Sequence, residues 1–231
     1  MDIEIFCIAC ADVEAMHDKA VTLVTPARRA QMERLQLPGD QLRCLGAGLL
    51  LRHVLGVQKD SQLSYGEYGK PYLSCQGAPG FSLAHAGDFA LLAVGPPVLG
   101  ADIEPWSAAQ WGHTSQAGPT ARDTCMVHTW MTECEQEVWL GASEPEEFFL
   151  RAWTGKESLL KATGQGFHLD PASFSVLPLT DGPRLFQGCE WTVMWRSVQK
   201  HQLAVATQAP VAGLNLIMLS ACDLVPSIVA R

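Results

Sequence analysis

The chain reads as an α+β protein made of two similar halves, and three observations predict this. A helical region followed by short strands occurs twice along the sequence. The helical stretches carry capping residues, whereas the strand stretches are short, apolar and separated by Gly, Pro and Asp. A hydrophobic content of 48% with seven Trp is enough for a real core. No residue-level repeat accompanies the doubled order. The expected halves are residues 1–105 and 106–231.

Residues 2–10 read as a strand. Thr25-Pro26 offers an N-cap with Pro at N1, and residues 27–37 read as a helix rich in Arg28, Arg29 and Arg34. Pro38-Gly39 breaks it, and Asp40 is expected to cap a second helix that ends at Gly56. Gly69–Leu73 is a loop into a strand, and residues 81–85 with 89–94 form a hairpin across Ala86-Gly87-Asp88. Residues 100–104 make another strand. The aperiodic stretch 106–126 reads as a long loop. Thr132 starts a helix reaching about Leu140, and residues 144–164 form a longer one. Strands are expected at 173–177, 191–195, 203–207 and 214–219.

Sixteen Lys and Arg against 24 Asp and Glu give a net charge of −8, which argues against general affinity for nucleic acid or an anionic membrane. Asp2 and Glu4 stand where a secretory signal would be basic. The apolar tail 214–230 is broken by Asn215, Asp223 and Pro226. A soluble, cytoplasmic chain is expected. Its eight cysteines are then reduced thiols acting as small core residues, and Cys7-x-x-Cys10 lies within an apolar strand with no second pair to complete a zinc site.

The stretch 151–166, R-A-W-T-G-K-E-S-L-L-K-A-T-G-Q-G, concentrates the chemistry. Trp153, Glu157, Leu160 and Gly164 share one helical face, so the Glu157 carboxylate sits beside apolar residues and needs a partner. Lys161 at i+4 or a metal ion would serve. Asp102 and Glu104 leave one face of a strand about 6.6 Å apart, and two carboxylates that close repel unless a cation lies between them. Oxygen ligands suit Mg²⁺ with a phosphate substrate. Taken singly, D-x-E, His85 near a turn, and Lys156 and Lys161 flanking Glu157 each fit a solvated surface equally well.

In order the chain presents G-K-P (69–71), F-S-L-A-H-A-G (81–87), G-A-D-I-E (100–104) and W-T-G-K-E-S-L-L-K-A-T-G-Q-G-F (153–167). This combination resembles the 4′-phosphopantetheinyl transferases of the large, surfactin-synthetase-activating (Sfp) type, over roughly residues 20–180. The resemblance implies a pseudo-dimer of two α+β halves with the active site at their interface. It implies Mg²⁺-dependent transfer of the phosphopantetheine arm of coenzyme A to a serine of an apo acyl or peptidyl carrier protein, releasing 3′,5′-ADP. By position, Asp102, Glu104 and Glu157 would ligate Mg²⁺, and Lys161, His85 and Lys156 would meet coenzyme A phosphates. Lys70 and Pro71 would lie by the adenine, Arg28 would serve the 3′-phosphate, and Arg43 would contribute. Glu157 or a water on the metal would take the serine proton, with Glu157 and Lys161 as the catalytic pair.

Some positions depart from the family pattern. Ala84 and Ala86 flank His85 where serines are usual, Gln31 and Cys44 replace a basic and a hydroxyl residue, and Glu135 is the expected extra acidic residue near the metal. Two other readings compete: a degenerate homologue that binds coenzyme A or a carrier without turnover, and an unrelated Mg²⁺ phosphohydrolase. A chain with two halves already supplies both sides of such a site, so a monomer is expected.

Overall fold

The computed structural model describes residues 2–106 and 121–224. It divides into two compact units, one of Met1–Pro97 with Val211–Arg231 and one of Val98–Pro210.

Unit 1 opens with β1 (Ile3–Ala9), followed by α1 (Cys10–Ala15), α2 (His17–Leu23), α3 (Pro26–Glu33) and α4 (Pro38–Leu55). The short strands β2 (Leu63–Tyr65) and β3 (Pro71–Leu73) pair with each other, and β4 (Gly80–Ala86) and β5 (Phe89–Gly95) form the expected hairpin. The last strand, β10 (Leu214–Leu219), runs parallel to β1, and the short α8 (Ala221–Leu224) follows. The sheet order is β10-β1-β5-β4. α4 packs on β5, β1 and β4, burying Leu45, Leu49 and Leu50 together with Ile8 and Leu92. Asp40 is not the cap of α4. Leu37 holds that position, Pro38 takes N1 where its missing N–H costs nothing, and Asp40 pairs instead with Arg43 in the first turn.

Unit 2 opens with β6 (Leu99–Pro105) and continues with α5 (Ala121–Trp130), α6 (Glu133–Leu140) and α7 (Pro145–Thr163). The strands β7 (Gly182–Phe186), β8 (Cys189–Val198) and β9 (His201–Thr207) complete an antiparallel sheet of order β6-β9-β8-β7. α7 lies across β6 and β9, and its inner face joins a core containing Trp139, Phe149, Leu159, Trp191 and Trp195. Thr132 caps α6 in a reciprocal capping box with Glu135. Gly164 ends α7 at φ 76°, the left-handed conformation expected of it.

One strand-pairing pattern recurs in the two units. In unit 1 the first strand pairs with the second strand of the hairpin that follows the long helix, giving β1-β5-β4. In unit 2 the same rule gives β6-β9-β8. Each unit then adds one outer strand, β10 parallel to β1 and β7 antiparallel to β8.

Several expectations need correction. The division at residue 105 separates β6 from its partner β9, so the boundary falls before Val98, and β10 returns to unit 1. Of the loop expected over 106–126, residues 107–120 lie outside the described residues, and α5 begins at Ala121. No strand forms at 173–177. Val176 N–H donates to Glu135, and Arg184 collects the carbonyls of Val176, Pro178 and Thr180, so this backbone is satisfied without a ladder. All eight cysteines are free, but only Cys7 and Cys44 are buried and Cys10 is half-buried; the other five are exposed. Burial pushes the Cys7 thiol up to about 12, which suits an inert core residue.

Candidate active site

β6 carries Asp102 and Glu104 toward one side, with Ile103 buried on the other. α7 meets that strand at close range because residue 100 is glycine. A Cβ there would lie 2.0 Å from the Ser158 carbonyl oxygen and 2.3 Å from the Ala162 nitrogen. Only this approach lets the helix deliver Glu157 and Lys161 to the carboxylates of β6.

Lys161 Nζ reaches Asp102 Oδ1 at 2.5 Å, while Asp102 Oδ2 is buried and without a hydrogen-bond partner. Asp102 is only 4% exposed. Burial, and then the neighbouring Asp102 charge, raise the Glu104 carboxyl from 4.5 to about 7, against the pull of Lys161 and of the Trp153 indole that donates to it. Burial and Asp102 likewise raise Glu157 to about 7, with Lys161 opposing. Burial works against the Lys161 ammonium, yet Asp102, Glu157 and Glu104 together hold it above its ordinary range. One lysine thus serves three mutually repelling carboxyl groups, and one buried oxygen is left over. That is an under-neutralised anionic site.

A divalent cation fits this donor set. The oxygens are hard and mostly carboxylate, and the orphaned Asp102 Oδ2 is a buried acceptor lacking the partner such atoms normally have. Among the described residues, no group of three or more His, Cys, Asp or Glu is already drawn together at metal-binding distances. A cation would have to gather the carboxylates.

Two expected site residues are engaged elsewhere. Lys156 is fully buried; its Nζ lies 2.7 Å from Glu135 Oε2 and donates to the carbonyls of Pro171 and Phe174. It has no proton to offer a phosphate, so the sequence expectation for Lys156 is corrected. Glu135 is also fully buried and accepts from Thr132, Ser175 and Val176, which removes it from the metal. The adjacency of Lys156 to Glu157 in sequence misled, because neighbours on a helix point about 100° apart.

Unit 1 holds the remaining candidates. Arg28 lies on α3, its stem packed over Gly48 of α4 and its Nη1 donating to Gln31 Oε1 at 3.2 Å. Cys44 is buried in the same seam with its thiol 3.8 Å from the Arg28 carbonyl. Arg43 pairs with Asp40 and donates to the Gly87 carbonyl at 2.6 Å, tying α4 to the turn that follows His85. His85 is exposed near the end of β4. Lys70 lies 5.6 Å from the centre of the Tyr72 ring, and burial lowers its ammonium to about 8. Pro71 opens β3 opposite Tyr65.

Sequence reasoning missed two contributors. Gly100 was legible only as part of a motif, and the Trp153 contact with Glu104 links two elements about 50 residues apart.

Comparison with known proteins identifies the family. The family model described as the 4′-phosphopantetheinyl transferase superfamily matches residues 98–212, nearly coincident with unit 2. The chain is 26% identical over 171 residues to 4′-phosphopantetheinyl transferase Sfp of Bacillus subtilis (strain 168), covering 72% of this chain and 71% of that protein. It is 28% identical over 173 residues to another 4′-phosphopantetheinyl transferase of Bacillus subtilis, covering 71% of each chain. Against 4′-phosphopantetheinyl transferase psf-1 of Bacillus pumilus it is 25% identical over 205 residues, covering 84% of this chain and 82% of that protein.

Proposed function

We propose, for a chain that belongs to the 4′-phosphopantetheinyl transferase superfamily and is of its Sfp type, that unit 2 carries the catalytic cation site for transfer from coenzyme A to an apo acyl or peptidyl carrier protein. The observation that supports this most is the cluster of Asp102, Glu104, Glu157 and Lys161 with its unpartnered buried oxygen.

In this reaction the carrier serine Oγ bonds to the phosphorus nearest the pantetheine. The bond from that phosphorus to the bridging oxygen breaks, 3′,5′-ADP leaves with the electron pair, and the serine proton passes to a base. Asp102, Glu104 and Glu157 would hold Mg²⁺, which when bound supplies positive charge against the pyrophosphate oxygens. Lys161, kept charged by the surrounding carboxyl groups, would lend a second, fixed positive charge against the charge that builds on the phosphoryl group. Glu157 would take the serine proton, directly or through a water. Trp153 steadies Glu104. Coenzyme A recognition by Arg28, Arg43, Lys70, Pro71 and His85 is part of the same proposal, as are action as a monomer and a cytoplasmic setting. No helix among the described residues is long and apolar enough to cross a membrane.

The alternative is a homologue that binds coenzyme A or a carrier without turnover. It is favoured by the engagement of Arg43 with Asp40 and by alanines at 84 and 86. Incubation with Mg²⁺ and coenzyme A labelled in the pantetheine arm separates the readings. Label on the carrier with stoichiometric 3′,5′-ADP supports transfer. Binding without label supports the alternative. Coenzyme A cleavage that needs no carrier would replace both with a phosphohydrolase.

A further inference from the structure

Four consecutive residues of α7 each meet a different neighbour. Gly155 lies under Trp195 of β8, where an added Cβ would come 2.8 Å from ring carbon Cζ2. Lys156 points to Glu135 of α6, Glu157 feels the charge of Asp102, and the Ser158 carbonyl rests on Gly100. Successive residues are about 100° apart on a helix, so these four interactions are spread over about 300° around it and restrain its rotation.

The contact made by Lys156 differs in kind from the two glycine approaches. Its ammonium lies 2.7 Å from Glu135 Oε2, donates 2.7 Å to the Pro171 carbonyl and also to that of Phe174, and sits 4.8 Å from the centre of the Phe174 ring. Glu135 Oε1 accepts from Val176 N–H at 2.9 Å and from Ser175 at 3.3 Å. Glu135 Oε2 accepts from Thr132 N–H at 2.9 Å and from the Thr132 hydroxyl at 3.1 Å. Both partners are fully buried. A buried pair so completely satisfied adds little net stability over apolar packing, but it admits few other arrangements.

We infer that Glu135 and Lys156 are a positioning pair for the cation site, setting the rotation of α7 so that Glu157 and Lys161 face Asp102. The inference rests on the function proposed above. A slip of α7 by one residue would turn Glu157 away from Asp102 by about 100°. An apolar contact at this point would tolerate such a slip; a pair hydrogen-bonded at every atom does not.

The test uses the full chain with both charges removed, Glu135→Gln with Lys156→Met, which keeps a carbonyl oxygen for Val176. Three quantities are read: Mn²⁺ affinity of the substrate-free protein by electron paramagnetic resonance, kcat and KM for coenzyme A, and the thermal midpoint. The expected result is a folded protein whose Mn²⁺ affinity falls about tenfold or more, as for lost outer-shell partners of a metal site. kcat should fall with it while KM for coenzyme A is unchanged. A folded double variant with wild-type Mn²⁺ affinity would overturn the inference. So would a change confined to KM, which would mean that Lys156 binds coenzyme A directly. Should the double variant not fold, Glu135→Gln with Lys156→Leu, which likewise leaves no unpaired buried charge, carries the same expectation. Wild-type protein that binds no Mn²⁺ and transfers nothing overturns the proposed function and this inference together, whereas normal wild-type behaviour beside an unaffected variant overturns the inference alone.

Discussion

Gly100 of β6 and Ser158 of α7 are in backbone contact so close that a Cβ on Gly100 would sit 2.0 Å from the Ser158 carbonyl oxygen. The contact brings the strand bearing Asp102 and Glu104 against the helix bearing Glu157 and Lys161. Gly100→Ala should therefore shift α7, with overpacking of about 1–3 kcal/mol in lost stability. Transfer activity and divalent-cation affinity should fall further than stability alone explains. Chemical denaturation and Mn²⁺ titration of the same sample check this. Normal cation affinity in a destabilised variant would separate the contact from the site.

Glu104 and Glu157, raised to about 7 by burial, bind protons more tightly folded than unfolded. Without metal, their contribution to stability is present below about pH 4.5 and lost as pH rises through about 7. Mg²⁺ needs the ionised carboxylates. Adding it should raise the thermal midpoint at pH 8 and hardly at pH 5. Equal stabilisation at both would mean the cation binds elsewhere.

Removing the lysine of the cluster isolates its role. Lys161→Met leaves Asp102 with neither oxygen paired. Transfer should fall by about a hundredfold or more in kcat, as for other fixed charges that oppose transition-state charge. A variant that retained wild-type kcat would exclude Lys161 from the chemistry.

Gly164 provides a control outside the chemistry. At φ 76° it is the left-handed end of α7, so Gly164→Ala should cost about 1 kcal/mol. Its kcat should stay near wild type, measured beside its unfolding midpoint. A loss of activity comparable to that of Gly100→Ala would show that any disturbance of α7 disables the site.

Much of this organisation was legible because it is local. The spacing of Asp102 and Glu104, the stop at Gly164 and the hairpin at Gly87-Asp88 follow from residues a few positions apart. What escaped was long-range. Lys156 and Glu135 pair across 21 residues, and nothing near Lys156 distinguishes a buried ammonium from a solvated one. β10 looked like the last strand of the second half, yet it pairs with β1 some 210 residues earlier. The strand expected at 173–177 was lost to Arg184, whose guanidinium takes carbonyls that a ladder would have used. Of the chemistry, the cluster of Asp102, Glu104, Glu157 and Lys161 was readable because these residues lie in two motifs. Gln31 and Cys44 took meaning only from their shared seam with Arg28.

Lys70 offers a check within unit 1. With its ammonium lowered to about 8 by burial, about half of it is neutral and nucleophilic at pH 8. It should be among the first lysines modified by a limiting acylating reagent, and coenzyme A should protect it. Modification without protection would remove Lys70 from the coenzyme A site.

The most direct test is the intact mass of an apo carrier protein after incubation with coenzyme A, Mg²⁺ and either the wild-type chain or Glu157→Gln. The account predicts one added phosphopantetheine with the wild type, abolished by EDTA and absent with the variant. Full transfer by Glu157→Gln would contradict the assignment of the site, and a folded wild type that leaves several carriers unmodified would contradict the proposed function itself.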